Sequence, residues 1–239
     1  MRRNVDTEPQ RLLLCVFTLS ERFGSLITVR MFTLTEPSDR DIEDFLASGS
    51  NLPFSYAEVG ATQGQCPLGY NVDHNRIELG KGGDVYNRAV AALKQWRQFE
   101  LGWVSIAPRG AKIEKGVTVA VKARAAGLWS LNACRVVYVV NEAEAAGNDE
   151  ASLGLVNKPI HRFGFAYGTL PDHIERGEER FLIEWNRSDD SVWYDILAFS
   201  QPRHPLVKLA APVTRMMQKR FARDSLAAMK AAVSVTTSA

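Results

Sequence analysis

The second half of the chain alternates between apolar and polar residues over consecutive short runs, and this period constrains the fold most. The clearest runs cover residues 135–140, 162–170, 179–185 and 192–199. Turn-forming residues separate the last three runs, at 171–177 and 186–191. No β-α-β alternation follows residue 100, so a parallel sheet is disfavoured and an antiparallel meander is predicted.

Two other segments have helical periodicity. Apolar residues recur at helical spacing over 86–96, after the glycine-rich turn at 80–83. Pro212 suits the first turn of a C-terminal helix. Its predicted apolar stripe contains Val213, Met216, Met217, Phe221, Ala228 and Val233. A helix over 212–233 would be roughly 33 Å long at 1.5 Å per residue. The sequence therefore predicts an α+β fold in which a curved antiparallel sheet is closed by a long C-terminal helix.

Net charge and hydropathy limit the possible partners, and cysteine usage indicates the compartment. With 29 basic and 27 acidic residues the net charge is +2, which does not favour nucleic acid as a partner. No run approaches the roughly 20 apolar residues of a membrane-spanning helix, so no integral membrane segment is predicted. Cys15, Cys66 and Cys134 are far apart and form no CxxC pair, which disfavours a disulfide framework and favours a reducing, cytoplasmic location.

The first 30 residues differ from the rest of the chain. An apolar run at 12–19 follows Arg2 and Arg3, but acidic residues precede it and no cleavage pattern follows. We therefore expect a poorly ordered leader over 1–30, with Met31 as a candidate true start. A single domain over 31–233 and a disordered tail over 234–239 complete the expected organisation.

Motifs of known chemistry do not point to a reaction. The turn at 80–83 matches neither GxGxxG nor GxxxxGK[ST], so a plain strand-to-helix turn is the better interpretation. The chain contains no GxSxG elbow, and its four histidines lie on different elements without a metal-ligand spacing. The sequence thus predicts no catalytic residue, no metal site and no cofactor.

One predicted strand carries a single carboxylate on an otherwise apolar face. Alternate positions of the run 192–199 are Trp193, Asp195, Leu197 and Phe199. If this face is the concave one, Asp195 is buried and needs a partner. The functional interpretation is a polar anchor in an apolar pocket, as in many small-molecule sites. The alternative is a salt-bridge or hydrogen-bond network that sets the strand register.

The residues predicted to form this site combine partners for Asp195 with aromatic side chains. They are Arg135, Tyr138, Tyr167, Arg180, Trp193, Asp195 and Phe221. The arginines would supply charge and the tyrosines hydroxyl groups. In the run 162–170, bulky residues alternate with Gly164, Ala166 and Gly168. Such a bare face allows another element, or a ligand, to approach the backbone closely.

Several motifs, in order, resemble those of the DUF1990 family. They are FSYAEVGAT at 54–62, RFGFAYGTLP at 162–171, GEERF at 177–181, WYDILAFS at 193–200 and RFARDSL at 220–226. The resemblance covers about residues 31–233, although the connector at 141–161 is longer than usual. It implies the START/Bet v 1-like helix-grip fold, with a cavity between the sheet and the C-terminal helix, and it supplies no catalytic residue.

Three classes of function follow. The first is a binding module for an apolar or amphipathic small molecule, held in the cavity without covalent chemistry. The second is an enzyme that uses Asp195 or Glu179 as an acid/base. The third is an interaction or regulatory protein with a filled core. An open pocket above about 300 Å³ favours binding, a carboxyl group with a raised pKa favours catalysis, and a filled core with an exposed apolar patch favours interaction.

Overall fold

The computed structural model describes residues 32–125, 127–142, 160–203 and 211–234. The expected leader over 1–30 lies outside these ranges, as do residues 235–239 of the expected tail and most of the connector at 141–161. Ser234, which the sequence analysis assigned to the tail, is the last residue of the C-terminal helix.

Eight strands of the described ranges form one antiparallel sheet. They are β1 (Phe32–Thr33), β2 (Asn71–Lys81), β3 (Val104–Ala107), β4 (Thr118–Ala125), β5 (Leu128–Asn141), β6 (Ile160–Thr169), β7 (Glu175–Asn186) and β8 (Ser191–Pro202). The α-helices are α1 (Asp39–Gly49), α2 (Gly83–Lys94) and α3 (Ala211–Ser234). Short 3-10 turns occur at Ala61–Gln63 and Arg97–Phe99.

The strand order is β2-β8-β7-β6-β5-β4-β3, with β1 paired beside the beginning of β5. Strands β3 to β8 are neighbours in chain order, as an antiparallel meander requires. At the other edge β2 pairs with β8, so the first long strand lies beside the last. The predicted α+β fold, a curved antiparallel sheet with a long C-terminal helix, is confirmed.

The two faces of the sheet are distinguished by the alternation along β7. The ring of Phe181 lies 6.4 Å from that of Phe221 in α3, which places Phe181 on the face covered by α2 and α3. We call this the inner face. The flanking residues Arg180 and Leu182 therefore point to the outer face, which is covered by α1 and by the segment 54–70.

Aromatic side chains fill the central part of the inner face. The ring of Phe99 lies 5.5 Å from Phe181, 5.0 Å from Phe221 and 6.0 Å from Tyr167. Phe165 and Phe181 are fully buried. Side chains of the protein thus occupy the middle of the space that the sequence analysis assigned to a ligand cavity.

Helix α3 buries only part of the predicted stripe, because Val233 is buried and Phe221 packs against the core, whereas Met216 does not. Its buried residues are Ala222, Ser225, Met229 and Val233. Met216 is 50% exposed, so its placement in the buried stripe was wrong. The hydroxyl groups of Ser225 and Tyr194 are 3.0 Å apart, so a small polar residue lies where the helix approaches the sheet. A stripe defined by large apolar residues cannot identify Ser225 as a buried position.

Candidate functional site on the outer face

A buried carboxylate holds the segment 54–62 against the outer face. Glu178 of β7 is 2% exposed and accepts four hydrogen bonds from that segment. The donors are the Tyr56 hydroxyl group at 2.7 Å, the Gly60 amide at 2.7 Å, the Thr62 amide at 3.0 Å and the Thr62 hydroxyl group. These four donors take the place of water around the buried carboxylate, and the hydrogen bonds hold the loop in one conformation.

The bare face of β6 makes room for this loop. A Cβ atom added at Gly168 would lie 2.1 Å from the hydroxyl oxygen of Tyr56. Burial, followed by the charge of Glu178 and its hydrogen bond, raises the pKa of Tyr56, so this hydroxyl stays a donor. The predicted close approach to the backbone is therefore made by a side chain of the protein itself.

We expect Gly168→Ala to lower the free energy of unfolding by about 1–3 kcal/mol, because the added methyl group displaces Tyr56 from Glu178. Urea unfolding measures the change. Gly49→Ala is the matched control, since its added methyl group would lie 4.0 Å from Ala133 and Leu170, an ordinary contact. Equal stability of the two variants would show that Tyr56 does not pack on β6 as described.

Arg180 connects this loop to Asp195. Its guanidinium group donates to the Thr62 carbonyl oxygen at 2.9 Å and to Asp195 Oδ1 at 2.9 Å. Asp195 is 2% exposed and also contacts His74 Nε2 through its other oxygen. Asp195 is buried and pairs with Arg180, but both side chains lie on the outer face, away from α3.

An ion-pair ladder continues across the outer face. Arg76 lies 2.9 Å from Glu184, and Arg162 lies 2.8 Å from the same carboxylate and 3.2 Å from Glu142. These pairs join β2, β7, β6 and the end of β5. This arrangement matches the alternative interpretation, in which a polar network sets the strand register.

The other predicted site residues are divided between separate places. Tyr138 is on the outer face, with its hydroxyl group 2.7 Å from Thr62 Oγ1, and Trp193 stacks on Arg76 at 4.8 Å. Arg135 instead donates to the carbonyl oxygens of Gly49, Ser50 and Leu52, at the end of α1. It therefore does not pair with Asp195.

Tyr167 and Phe221 lie on the inner face, across the sheet from Asp195. The seven predicted residues therefore do not form a single pocket. Asp195 faces away from α3, because it pairs in register with Leu182 on the outer face. Tyr194, the neighbouring position on the inner face, contacts α3 through Ser225. The alternation along a strand indicates which residues share a face, but it does not indicate which of the two faces a helix covers.

The structure contains an open groove of about 460 Å³ at the end of the outer face. Its lining residues come from the segment before β2 and from the ends of β7 and β8. They are Phe54, Ser55, Tyr56, Ala57, Glu58, Leu68, Tyr70, Arg176 and Gln201. We call it the outer groove. Its wall combines aromatic rings with one guanidinium, one carboxylate and one amide.

The polar groups of the outer groove are held by their neighbours. Tyr70 donates to Glu58 at 2.8 Å, and this hydrogen bond, with a smaller contribution from Arg176, lowers the pKa of Glu58. With its amide oxygen facing Arg176, Gln201 accepts from the guanidinium group at 3.2 and 3.1 Å. None of the ion pairs within the described ranges involves Arg176.

A partly buried carboxyl group lies on the inner face. Glu179 accepts a hydrogen bond from the Tyr167 hydroxyl group at 2.7 Å. Burial, opposed by this hydrogen bond and reinforced by the charges of Asp73 and Glu175, raises the pKa of Glu179 to about 7. A carboxyl group with such a pKa can exchange a proton near neutral pH.

Sequence reasoning missed Glu178, His74 and Arg176. Glu178 and Glu179 are adjacent on β7 and point to opposite faces, and only Glu178 is fully buried. The family motif at 54–62 was the sequence signal that could have indicated the role of Glu178, because Tyr56 and Gly60 of this motif donate hydrogen bonds to it. Leu68 is 95% exposed and lines the same groove as Arg176. It lies outside the alternating runs, so strand periodicity could not predict its position.

The described residues provide neither a metal-binding cluster nor a membrane-spanning helix. No cluster of three or more His, Cys, Asp or Glu side chains in these ranges could hold a metal ion. No helix in the same part of the chain is long and apolar enough to cross a membrane.

The fold defines the class of protein as an α+β domain whose curved antiparallel sheet packs on a long C-terminal helix. Ara h 8.0201 is similar, with 12% identity over 69% of this chain and 98% of that chain and a TM-score of 0.40. Human STARD10 is similar with 13% identity over 83% of this chain and 80% of that chain, at a TM-score of 0.39.

The chain belongs to the DUF1990 family, described as a domain of unknown function, whose profile matches residues 55–228. A UPF0548 protein of Dictyostelium discoideum is 35% identical, with 85% of this chain and 96% of the relative covered. A UPF0548 protein of Deinococcus radiodurans is 33% identical over 81% of this chain and 94% of the relative.

Proposed function

We propose that the protein binds a small amphipathic molecule in the outer groove. Aromatic side chains would hold the apolar part of the molecule, and Arg176 would pair with an anionic group. The observation that carries the proposal is the groove itself, about 460 Å³ in volume and lined by Phe54, Tyr56 and Tyr70 beside Arg176. The exposed lining of the groove is more polar than apolar, so its oriented polar groups would contribute much of the recognition beside these rings.

The state of Arg176 supports an anionic ligand group. Its hydrogen bonds go to a neutral amide, and among the described residues no carboxylate lies within ion-pair distance of it, although its charge acts on Glu58 across the groove. A planar guanidinium group binds a carboxylate or phosphate through two parallel hydrogen bonds. Leu68, 95% exposed, offers apolar surface at the same rim.

This proposal keeps the ligand class expected from the sequence and changes its location. On the inner face, Phe99, Phe165 and Phe181 fill the central space, whereas the outer groove is open. We place the binding in the cytosol, because Cys66 and Cys134 are free thiols. The acid/base alternative now concerns Glu179, whose pKa near 7 favours it, rather than Asp195.

Arg176→Gln should weaken binding of an anionic aromatic dye, anilinonaphthalene sulfonate, by roughly tenfold or more, because a charge-assisted hydrogen bond contributes about 1.5–3 kcal/mol. Fluorescence titration at constant ionic strength measures the dissociation constant. Nile red, a neutral dye, should lose much less affinity in the same variant.

Arg109→Gln is the matched control, since Arg109 is exposed in the turn between β3 and β4 at the far edge of the sheet. It removes the same charge without touching the outer groove. Failure of the folded wild-type protein to bind either dye, or equal losses in the two arginine variants, would contradict the proposal.

A further inference from the structure

Two opposite charges lie in the wall of the outer groove without pairing directly. Arg176 belongs to β7, and Glu58 belongs to the segment before β2. Within the described ranges neither side chain forms an ion pair, with the other or with a third residue. Each is held by a neutral neighbour instead, Arg176 by Gln201 and Glu58 by Tyr70. The groove therefore presents a separate positive and a separate negative group to a molecule that enters it.

Part of the Arg176 guanidinium group is open to a ligand. With its amide oxygen turned towards Arg176, Gln201 accepts from Nε at 3.2 Å and from Nη2 at 3.1 Å. This contact uses one edge of the planar group. The end formed by Nη1 and Nη2 has no carboxylate partner among the described residues. Such an end can bind a carboxylate through two parallel hydrogen bonds.

One oxygen atom of Glu58 is open in the same way. The Tyr70 hydroxyl group at 2.8 Å and the Ala57 amide at 3.2 Å both donate to Oε2, and no side chain of the described ranges donates to Oε1. The residue is exposed. The hydrogen bond from Tyr70, with a smaller contribution from the charge of Arg176, lowers the pKa of Glu58, so the carboxylate is ionised at neutral pH. An ionised carboxylate with a free oxygen atom can accept from an ammonium group.

Aromatic rings supply the apolar part of the groove. The rings of Phe54 and Tyr56 lie 5.8 Å apart, and the ring of Tyr70 lies 5.0 Å from that of Phe199. Because these rings pack against one another, a ligand would meet a preformed surface. The exposed lining is nevertheless more polar than apolar, which disfavours a wholly apolar ligand. The complementary molecule has an aromatic part and carries both charges.

We propose that the ligand of the outer groove is an aromatic amino acid, whose carboxylate pairs with Arg176 and whose ammonium group pairs with Glu58. This assignment rests on the proposed function, because it takes the outer groove as the binding site and names the class of molecule that the groove selects. The aromatic side chain of the ligand packs against Phe54 and Tyr56. A molecule with only one of the two charges leaves one protein charge without a partner, so it binds more weakly.

Isothermal titration calorimetry with L-tryptophan and two indole analogues tests this assignment. Indole-3-propionate lacks the ammonium group and tryptamine lacks the carboxylate, while all three molecules carry the same ring. The wild-type protein should bind L-tryptophan roughly tenfold or more tightly than either analogue, because each missing charge removes a charge-assisted hydrogen bond.

Two variants assign each ligand charge to its partner. In Glu58→Gln, L-tryptophan and indole-3-propionate should bind with similar affinity, whereas the preference over tryptamine should remain. In Arg176→Gln, L-tryptophan and tryptamine should bind with similar affinity, whereas the preference over indole-3-propionate should remain. Glu43→Gln is the matched control, since Glu43 is exposed on α1 and lies outside the outer groove. It removes the same charge as Glu58→Gln and should keep both preferences.

Equal affinity of the wild-type protein for L-tryptophan and its analogues, or no binding of any of the three, would overturn the amino-acid assignment. Both preferences surviving in Glu58→Gln would overturn it as well, because the ammonium group would then bind elsewhere. Titration with anilinonaphthalene sulfonate tests the outer groove separately. Dye binding that depends on Arg176, without a preference for L-tryptophan, would contradict the amino-acid ligand and leave the proposed function standing.

Discussion

Replacing Phe181 with alanine is expected to lower the free energy of unfolding by about 3–5 kcal/mol. The ring is fully buried at the centre of the inner face, with ring centroids 5.5 Å from Phe99, 5.3 Å from Phe165 and 5.4 Å from Tyr167. Its removal leaves a cavity that these rings, held by one another, cannot close. Chemical denaturation measures the change, with the dependence of the unfolding free energy on denaturant concentration held at its wild-type value.

Phe221→Ala is the comparison for this prediction. Its ring belongs to the same cluster but is only half-buried, so its truncation should cost less than that of Phe181. A loss below about 1 kcal/mol for Phe181→Ala would mean that the inner face is loosely packed and has room for a ligand. That result would restore the sheet–helix cavity as the binding site.

Glu178→Ala is expected to lower the free energy of unfolding by about 3 kcal/mol, because it leaves several buried donors without a partner. The loop at 54–62 should also lose protection from hydrogen exchange, most of all at the amides of Gly60 and Thr62. Both effects can be measured on the same samples, by denaturation and by exchange.

Glu184→Ala is the matched control, since Glu184 lies on the same face of the same strand and binds arginine side chains rather than backbone amides. Its loss should be smaller and should leave the loop protected. If the loop remains protected in Glu178→Ala, another contact holds it, and Arg180, which donates to the Thr62 carbonyl oxygen, becomes the first residue to test.

The strand order could be predicted because its signals are local. Residues 162–170, 179–185 and 192–199 alternate clearly, and short turns between them allow only antiparallel neighbours. The bare positions of β6 likewise predicted a close approach to the backbone, and Tyr56 makes it at Gly168. These features depend on residues within one or two elements.

The location of the candidate site could not be predicted in the same way. Its parts are brought together by the segment 54–70, which has no period and reaches Glu178 across more than a hundred residues. Asp195 is buried and paired with Arg180, but beneath a loop rather than beneath α3, and the two kinds of burial give the same alternation. Arg135 shows the same limit, because most of its hydrogen bonds go to backbone carbonyl groups that any sequence provides.

The pairing of β2 with β8 has a consequence for how the protein matures. His74 and Asp195 are separated by 121 residues along the chain, yet they lie side by side across this seam. Closing so long a loop costs chain entropy before any contact across it can form, which makes such pairings late events in folding. The outer groove straddles the seam, with Tyr70 just before β2 and Gln201 in β8. A nascent chain on the ribosome can therefore assemble its meander in stages, but it has no groove until β8 has emerged.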